Sequence, residues 1–142
     1  MIRIDHAHLQ VAARTHPGMT GKKNEDRYAV SAYRVGKDRP LPVVVALLAD
    51  GVGGNRAGEV AAEMAVEIIS QHLADSDATA PVEILEQAFQ AANQAIFSRS
   101  QQFPDYQGMG TTCVCAWVIG DRLYAAWVGD SSRNAMRKTR SP

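Results

Sequence analysis

No stretch of this 142-residue chain comes near the roughly 20 consecutive apolar residues that span a bilayer, so a membrane helix is excluded. The first residues, Met1-Ile-Arg-Ile-Asp5-His6, carry charge where a secretory signal needs its apolar core, and the cytoplasm is the expected compartment. There is no internal repeat and no low-complexity segment. Cysteine is scarce: Cys113 and Cys115 stand two apart in a strand-like run, point to one face and are badly placed to bridge each other. Buried reduced thiols are the simpler reading, and a two-ligand metal site the competing one. The histidines lack a zinc pattern. His6, His8 and His16 read as surface or strand-edge residues, and His72 as a partly buried packing residue on a helix.

With 46% hydrophobic and 21% charged residues, the composition is that of an ordinary globular domain. A chain this long can bury about 70% of its unfolded surface in one core. The net charge of zero conceals a break. Of the 15 Lys and Arg, four fall in residues 131–142, which contain no acid, so residues 1–130 carry 11 bases against 15 acids, a balance of −4. The expected organisation is one domain over residues 1–131 and an atypical basic tail over 132–142, frameshifted or disordered. Four charges without aromatic residues or amphipathic spacing favour a solvated end over a nucleic-acid or membrane contact. Neither partner is expected.

Leu9–Ala13 and Tyr28–Tyr33 read as strands, divided by the turn-rich His16–Gly21. A third strand runs through Val43-Val-Val-Ala-Leu-Leu-Ala-Asp50 into the glycine-dense turn Gly51-Val-Gly53-Gly54. Val60, Ala61, Met64, Ala65, Ile68, Ile69 and Leu73 then recur with helical spacing. Pro81 suits a first helical turn, and Leu85, Ala88, Phe89, Ala92, Ala95 and Ile96 continue a second helix that Phe103-Pro104 ends. Thr111–Ile119 and Leu123–Val128 are two further strands joined by a hairpin-like connection, with Trp117, Tyr124 and Trp127 filling core space. Two consecutive helices between groups of strands argue for an α+β fold rather than βαβ alternation.

Asp50 leaves a buried strand at a turn where glycines allow close approach, and Glu25-Asp26 stands at the mouth of another strand. Oxygen ligation of a hard divalent cation fits that arrangement better than zinc. A nucleotide loop does not fit. Arg56 occupies the place of the third glycine of G-x-G-x-x-G, no Gly-Lys-Ser/Thr follows, and Asp50 would repel a pyrophosphate unless a cation lay between them.

Asn24-Glu25-Asp26, Ala49-Asp50-Gly51-Val52-Gly53-Gly54, Gly110-Thr111-Thr112 and Val128-Gly129-Asp130-Ser131 stand in the order and approximate spacing of one family. Over roughly residues 8–131 the chain resembles the metal-dependent Ser/Thr protein phosphatases of the PPM, or type 2C, family, its bacterial members above all. The resemblance implies an antiparallel β-sandwich flanked by helical layers, incomplete here at the C-terminus. It also implies a centre of two Mn²⁺ or Mg²⁺ ions, with a third, weaker one. Asp50 would bridge the two ions, Gly51 would offer its carbonyl, Glu25 and Asp26 would hold metal-bound waters, and Asp130 would help place the third ion; a simple turn carboxylate is the competing reading for Asp130. Asp50, Glu25 and Asp26 would thus carry catalysis. Substrates would be phosphoserine and phosphothreonine proteins, with a Ser/Thr kinase working in the opposite direction.

Three departures bear on that reading. Gly21 stands where the family places a phosphate-gripping Arg, which leaves Lys22 or Lys23 to hold phosphate as a point charge. Val52 cannot donate a proton to a leaving group. Family members also take two further Asp ligands from downstream Asp-Gly and Asp-Asn motifs, before which this chain stops. A truncated phosphatase with impaired activity is the expectation, by frameshift, premature stop or deliberate shortening. A non-catalytic phosphoprotein-binding or regulatory module is the alternative, and a non-functional fragment the third reading.

Overall fold

The computed structural model describes residues 1–12, 26–53, 56–129 and 139–140. They form one antiparallel sheet with strands in chain order: β1 (Ile2–Ile4), β2 (Asp26–Val35), β3 (Leu41–Val52), β4 (Gly110–Ile119), β5 (Arg122–Val128) and β6 (Thr139–Arg140). Two helices, α1 (Ala57–Ala74) and α2 (Pro81–Gln102), are inserted between β3 and β4. The class is α+β, as expected. The described residues supply one sheet and one helical layer of the anticipated sandwich.

Period-two burial explains why this sheet has a core side. Val43, Val45, Leu47 and Ala49 of β3 point to the helices and are almost fully buried, beside Cys113, Cys115 and Trp117 of β4. Ala62, Val66, Ile69 and Leu73 of α1 close over them, and Leu85, Ala88, Phe89 and Ala92 of α2 complete the cluster. Alanines along α1 keep the helix close to the sheet, and each fully buried Val, Leu or Ile contributes roughly 1.5–3 kcal/mol. A smaller cluster of Ala57, Ala61, Ala65, Ile96 and Met109 joins the start of α1 to the later turns of α2.

Local chemistry sets the element ends. Pro81 occupies the first turn of α2, where its missing N–H costs nothing, and Phe103 leaves the helix in an extended conformation ahead of Pro104. The β4–β5 loop has two residues, and Gly120, at φ +61°, supplies the positive dihedral that its first central position needs.

Two expectations are corrected. Leu9–Gln10–Val11–Ala12 forms no strand, and Leu9 and Val11 are exposed. Ile2–Ile4 instead pairs with Ala32–Arg34 at the far end of β2, and residues 9–12 pair with no described strand. Beyond β1, the His8 ring meets the Gly120 carbonyl oxygen at 3.0 Å. His72 is exposed rather than partly buried, because Ile69 and Leu73 occupy the inward stripe of α1 and leave position 72 outside it. Trp117 is fully buried, and Tyr124 and Trp127 are half-buried. In the basic tail, Thr139–Arg140 pairs with Ala125 and Tyr124 of β5.

Candidate metal centre

Antiparallel pairing places Asp26, the first residue of β2, directly opposite Asp50 of β3. Directly opposed residues share a sheet face with Cβ atoms about 4.5–5.5 Å apart. The sequence placed both acids at strand ends, and the register brings them together. They lie on the face away from the helices, Asp50 exposed and Asp26 half-buried. Two carboxylates this close repel, and a cation near them relieves the repulsion.

Thr112 of β4 is Asp50's partner on the other side. The Asp50 backbone N–H donates to Thr112 Oγ1 at 3.3 Å, and that hydroxyl lies 3.4 Å from the Asp50 carbonyl oxygen. The Gly110-Thr111-Thr112 motif thus braces the backbone of the central acid, a role its sequence signature alone does not reveal.

Gly51 faces the opposite way, toward α1, and is buried. A Cβ there would lie 1.9 Å from the Gly58 carbonyl oxygen, so only glycine lets the first turn of α1 rest directly on β3. Arg27 links β2 to the same turn. Its Nη1 donates to the Asp26 carbonyl oxygen at 2.8 Å, and its Nη2 pairs with Glu59 of α1. Neither the Gly51–Gly58 contact nor the Arg27–Glu59 pair was anticipated. Glu59, in the first turn of a helix that follows the Asp50 loop, was the available clue.

The donor set suits a hard cation: carboxylate oxygens at the end of the sheet, with no thiolate within reach. Cys113 follows Thr112 but points to the helix side, and burial pushes its thiol up to about 12; burial and the neighbouring Cys113 raise Cys115 as well. Both thiols are free and buried, in agreement with the reduced reading. Among the described residues no group of three or more His, Cys, Asp or Glu converges on one point. Asp26 and Asp50 alone would leave most of an octahedral shell to water. Glu25, Asp130, Lys22 and Lys23 lie outside the described residues.

A cavity of about 500 Å³ opens on the helix side, between α2 and β4–β5, bounded by Phe89, Ile96, Met109, Thr111 and Cys113. Among the described residues its walls carry no carboxylate, histidine or basic side chain, and Asp26 and Asp50 are not part of them.

The chain matches the Protein phosphatase 2C family over residues 18–140, a span that contains every motif described above. It belongs to that family. The Serine/threonine phosphatase stp of Listeria monocytogenes is 38% identical over 122 residues, 83% of this chain and 46% of that protein. The Serine/threonine protein phosphatase PstP of Mycobacterium tuberculosis is 33% identical over 130 residues, 91% of this chain and 23% of that protein. This phosphatase 2C chain thus spans less than half the length of either curated relative. Among solved structures, the catalytic domain of PstP in complex with two manganese ions superposes with a TM-score of 0.66 at 32% identity, over 84% of this chain and 47% of that one. The Streptococcus agalactiae serine/threonine phosphatase gives a TM-score of 0.60 at 32% identity, over 83% and 47%. The sheet and helical layer described above are therefore a phosphatase 2C arrangement, and the Asp26–Asp50 pair lies within the matched span.

Proposed function

We propose that this chain is part of a protein serine/threonine phosphatase that hydrolyses phosphomonoesters at a centre of Mn²⁺ or Mg²⁺. The observation that carries the reading is the Asp26–Asp50 cross-strand pair, at the end of a sheet whose family and fold are those of phosphatase 2C. Asp50 and the Gly51 carbonyl would hold two ions directly, Asp26 and Glu25 would act through water, and Asp130 would serve a third. Bound there, the ions supply an activated water nucleophile and neutralise phosphoryl oxygens. The protein's part is to fix the acids. Thr112 holds the Asp50 backbone, and the Asp50–Thr112 and Asp26–Asp50 pairings keep three strands in register at the point of attack. Lys22 and Lys23 are the proposed phosphate contacts, phosphoserine and phosphothreonine proteins the substrates, and a Ser/Thr kinase the opposing enzyme. Two free buried thiols suit a reducing compartment and support the cytoplasm as the site of action.

A chain that spans 46% of a relative is proposed to bind metal but to fall short of the relative's turnover. The test is Mn²⁺-dependent phosphate release from a phosphothreonine peptide, together with Mn²⁺ binding, by the wild type and Asp50→Ala. Binding lost in Asp50→Ala with little release from either protein is the expected result. Metal-free phosphopeptide binding that survives Asp50→Ala would replace the enzyme with a binding module, and full turnover would show that these residues suffice.

A further inference from the structure

We propose that the Arg27–Glu59 pair is a positioning device for the metal site, clamping the Asp26 end of β2 to the first turn of α1, the same turn on which Gly51 of β3 rests. The inference rests on the function proposed above and adds residues outside the ligand set.

Asp26 is the first described residue of β2 and pairs with Asp50. Arg27, paired with Ala49, sends its side chain to the helix side while Asp26 faces away. One guanidinium nitrogen donates to the Asp26 carbonyl oxygen at 2.8 Å and another pairs with Glu59, so the backbone of a proposed ligand is tied to α1 through a single side chain. Glu59 follows Gly58, the residue on which Gly51 rests. The same helical turn therefore touches both strands that carry the facing acids. The side chains are 32% exposed for Arg27 and 16% for Glu59, so water screens the pair less than it screens a fully exposed ion pair. Arg supplies two directed donors from one planar group, which a lysine ammonium cannot reproduce with the same geometry.

A purely structural pair and a positioning pair respond differently to replacement. Taking away one partner strands a partly buried charge and destabilises either kind, whereas replacing both by apolar residues of similar size restores stability. Only a positioning pair leaves the metal site impaired after that repair. The experiment is Mn²⁺ titration followed by the loss of the free-ion electron paramagnetic resonance signal, with melting temperatures taken without metal. It compares the wild type, Arg27→Lys, Arg27→Met and the double variant Arg27→Met/Glu59→Met. The double variant is expected to melt near the wild type yet bind Mn²⁺ about tenfold more weakly, the scale on which groups that orient ligands act. Arg27→Lys should recover part of the loss. Wild-type affinity in a folded double variant overturns the inference alone, as does affinity that follows melting temperature across the set. Absence of Mn²⁺ binding in the wild type overturns the metal-centre reading and the inference with it.

Discussion

Substituting Gly51 by alanine tests the packing beneath the site with one methyl group. The new Cβ would lie 1.9 Å from the Gly58 carbonyl oxygen and 2.4 Å from its carbon, both backbone atoms that no rotamer change can move. Ordinary contact is about 3.5 Å, so the first turn of α1 must retreat by roughly 1.5 Å. That retreat loosens Ala57, Ala61 and Ala65, which are buried against Ile96 and Met109. Overpacking costs about 1–3 kcal/mol, and a clash with backbone belongs at the upper end. The reduced freedom of alanine in the unfolded chain returns about 0.4–1 kcal/mol. The net loss is about 2 kcal/mol, which for a chain of this size lowers the melting temperature by about 6–8 °C. Gly110→Ala is the internal control, because its Cβ would find the Val52 Cγ2 at an ordinary 3.6 Å. Thermal unfolding followed by circular dichroism reads both variants. A Gly51→Ala protein that melts within 2 °C of wild type, or level with Gly110→Ala, refutes the close approach.

Three further outcomes are expected. Cys113 and Cys115 should not react with a thiol reagent in the native protein at pH 8, since burial holds both as neutral thiols, and both should titrate in denaturant; rapid native labelling would contradict their burial. The Asp77 carboxylate accepts hydrogen bonds from the Thr79 hydroxyl at 2.7 Å and the Thr79 N–H at 3.0 Å, which hold its pKa below the ordinary value. Its contribution to stability is present above the unfolded pKa and fades as pH falls through the lower folded one; Thr79→Val should raise the Asp77 pKa in an NMR titration, and an unmoved pKa would show that the hydroxyl does not lower it. Trp117 buries an indole N–H without a hydrogen-bond partner among the described residues, so Trp117→Phe should cost under about 1 kcal/mol against about 3–5 for Trp117→Ala; denaturant unfolding with equal losses would argue that the N–H is satisfied.

The elements that the sequence announced most clearly carry their own punctuation. α2 has its proline at the start and Phe103-Pro104 at the end, and the β4–β5 hairpin has a glycine where the dihedral requires one. Leu9–Ala12 has the right alternation but pairs with no strand among the described residues, and alternation alone does not make a strand, which needs a partner's ladder such as Ile2–Ile4 finds at Ala32–Arg34. The three-residue β1 was hidden for the converse reason. Its two isoleucines flank an arginine too briefly to form a pattern, and β1 exists because β2 offers Ala32–Arg34. His72 shows the limit of helical spacing, since a residue beside two buried neighbours can still fall outside the stripe they define.

The site was legible as a set of residue types and illegible as an arrangement. Glycines and acids in four motifs pointed to the family, but nothing local says that Asp26 faces Asp50 rather than Ala49. That is a matter of register. A slip of one residue between β2 and β3 would carry Asp26 to the face occupied by α1 and bring Arg27 to the other, parting the two acids and breaking the link to Glu59 together. The alternation that buries Val43, Val45, Leu47 and Ala49 prevents this slip, because moving β3 by one would bury Asp50 and expose the core. The apolar side of the sheet thus determines where the acids stand on the other side, and α1 is the element that reads both. Its stripe of alanines fixes the core face, and its first turn meets Gly51 and Arg27. Hydrophobic burial sets the register, the register pairs the carboxylates, and their pairing makes the end of the sheet suitable for a hard cation.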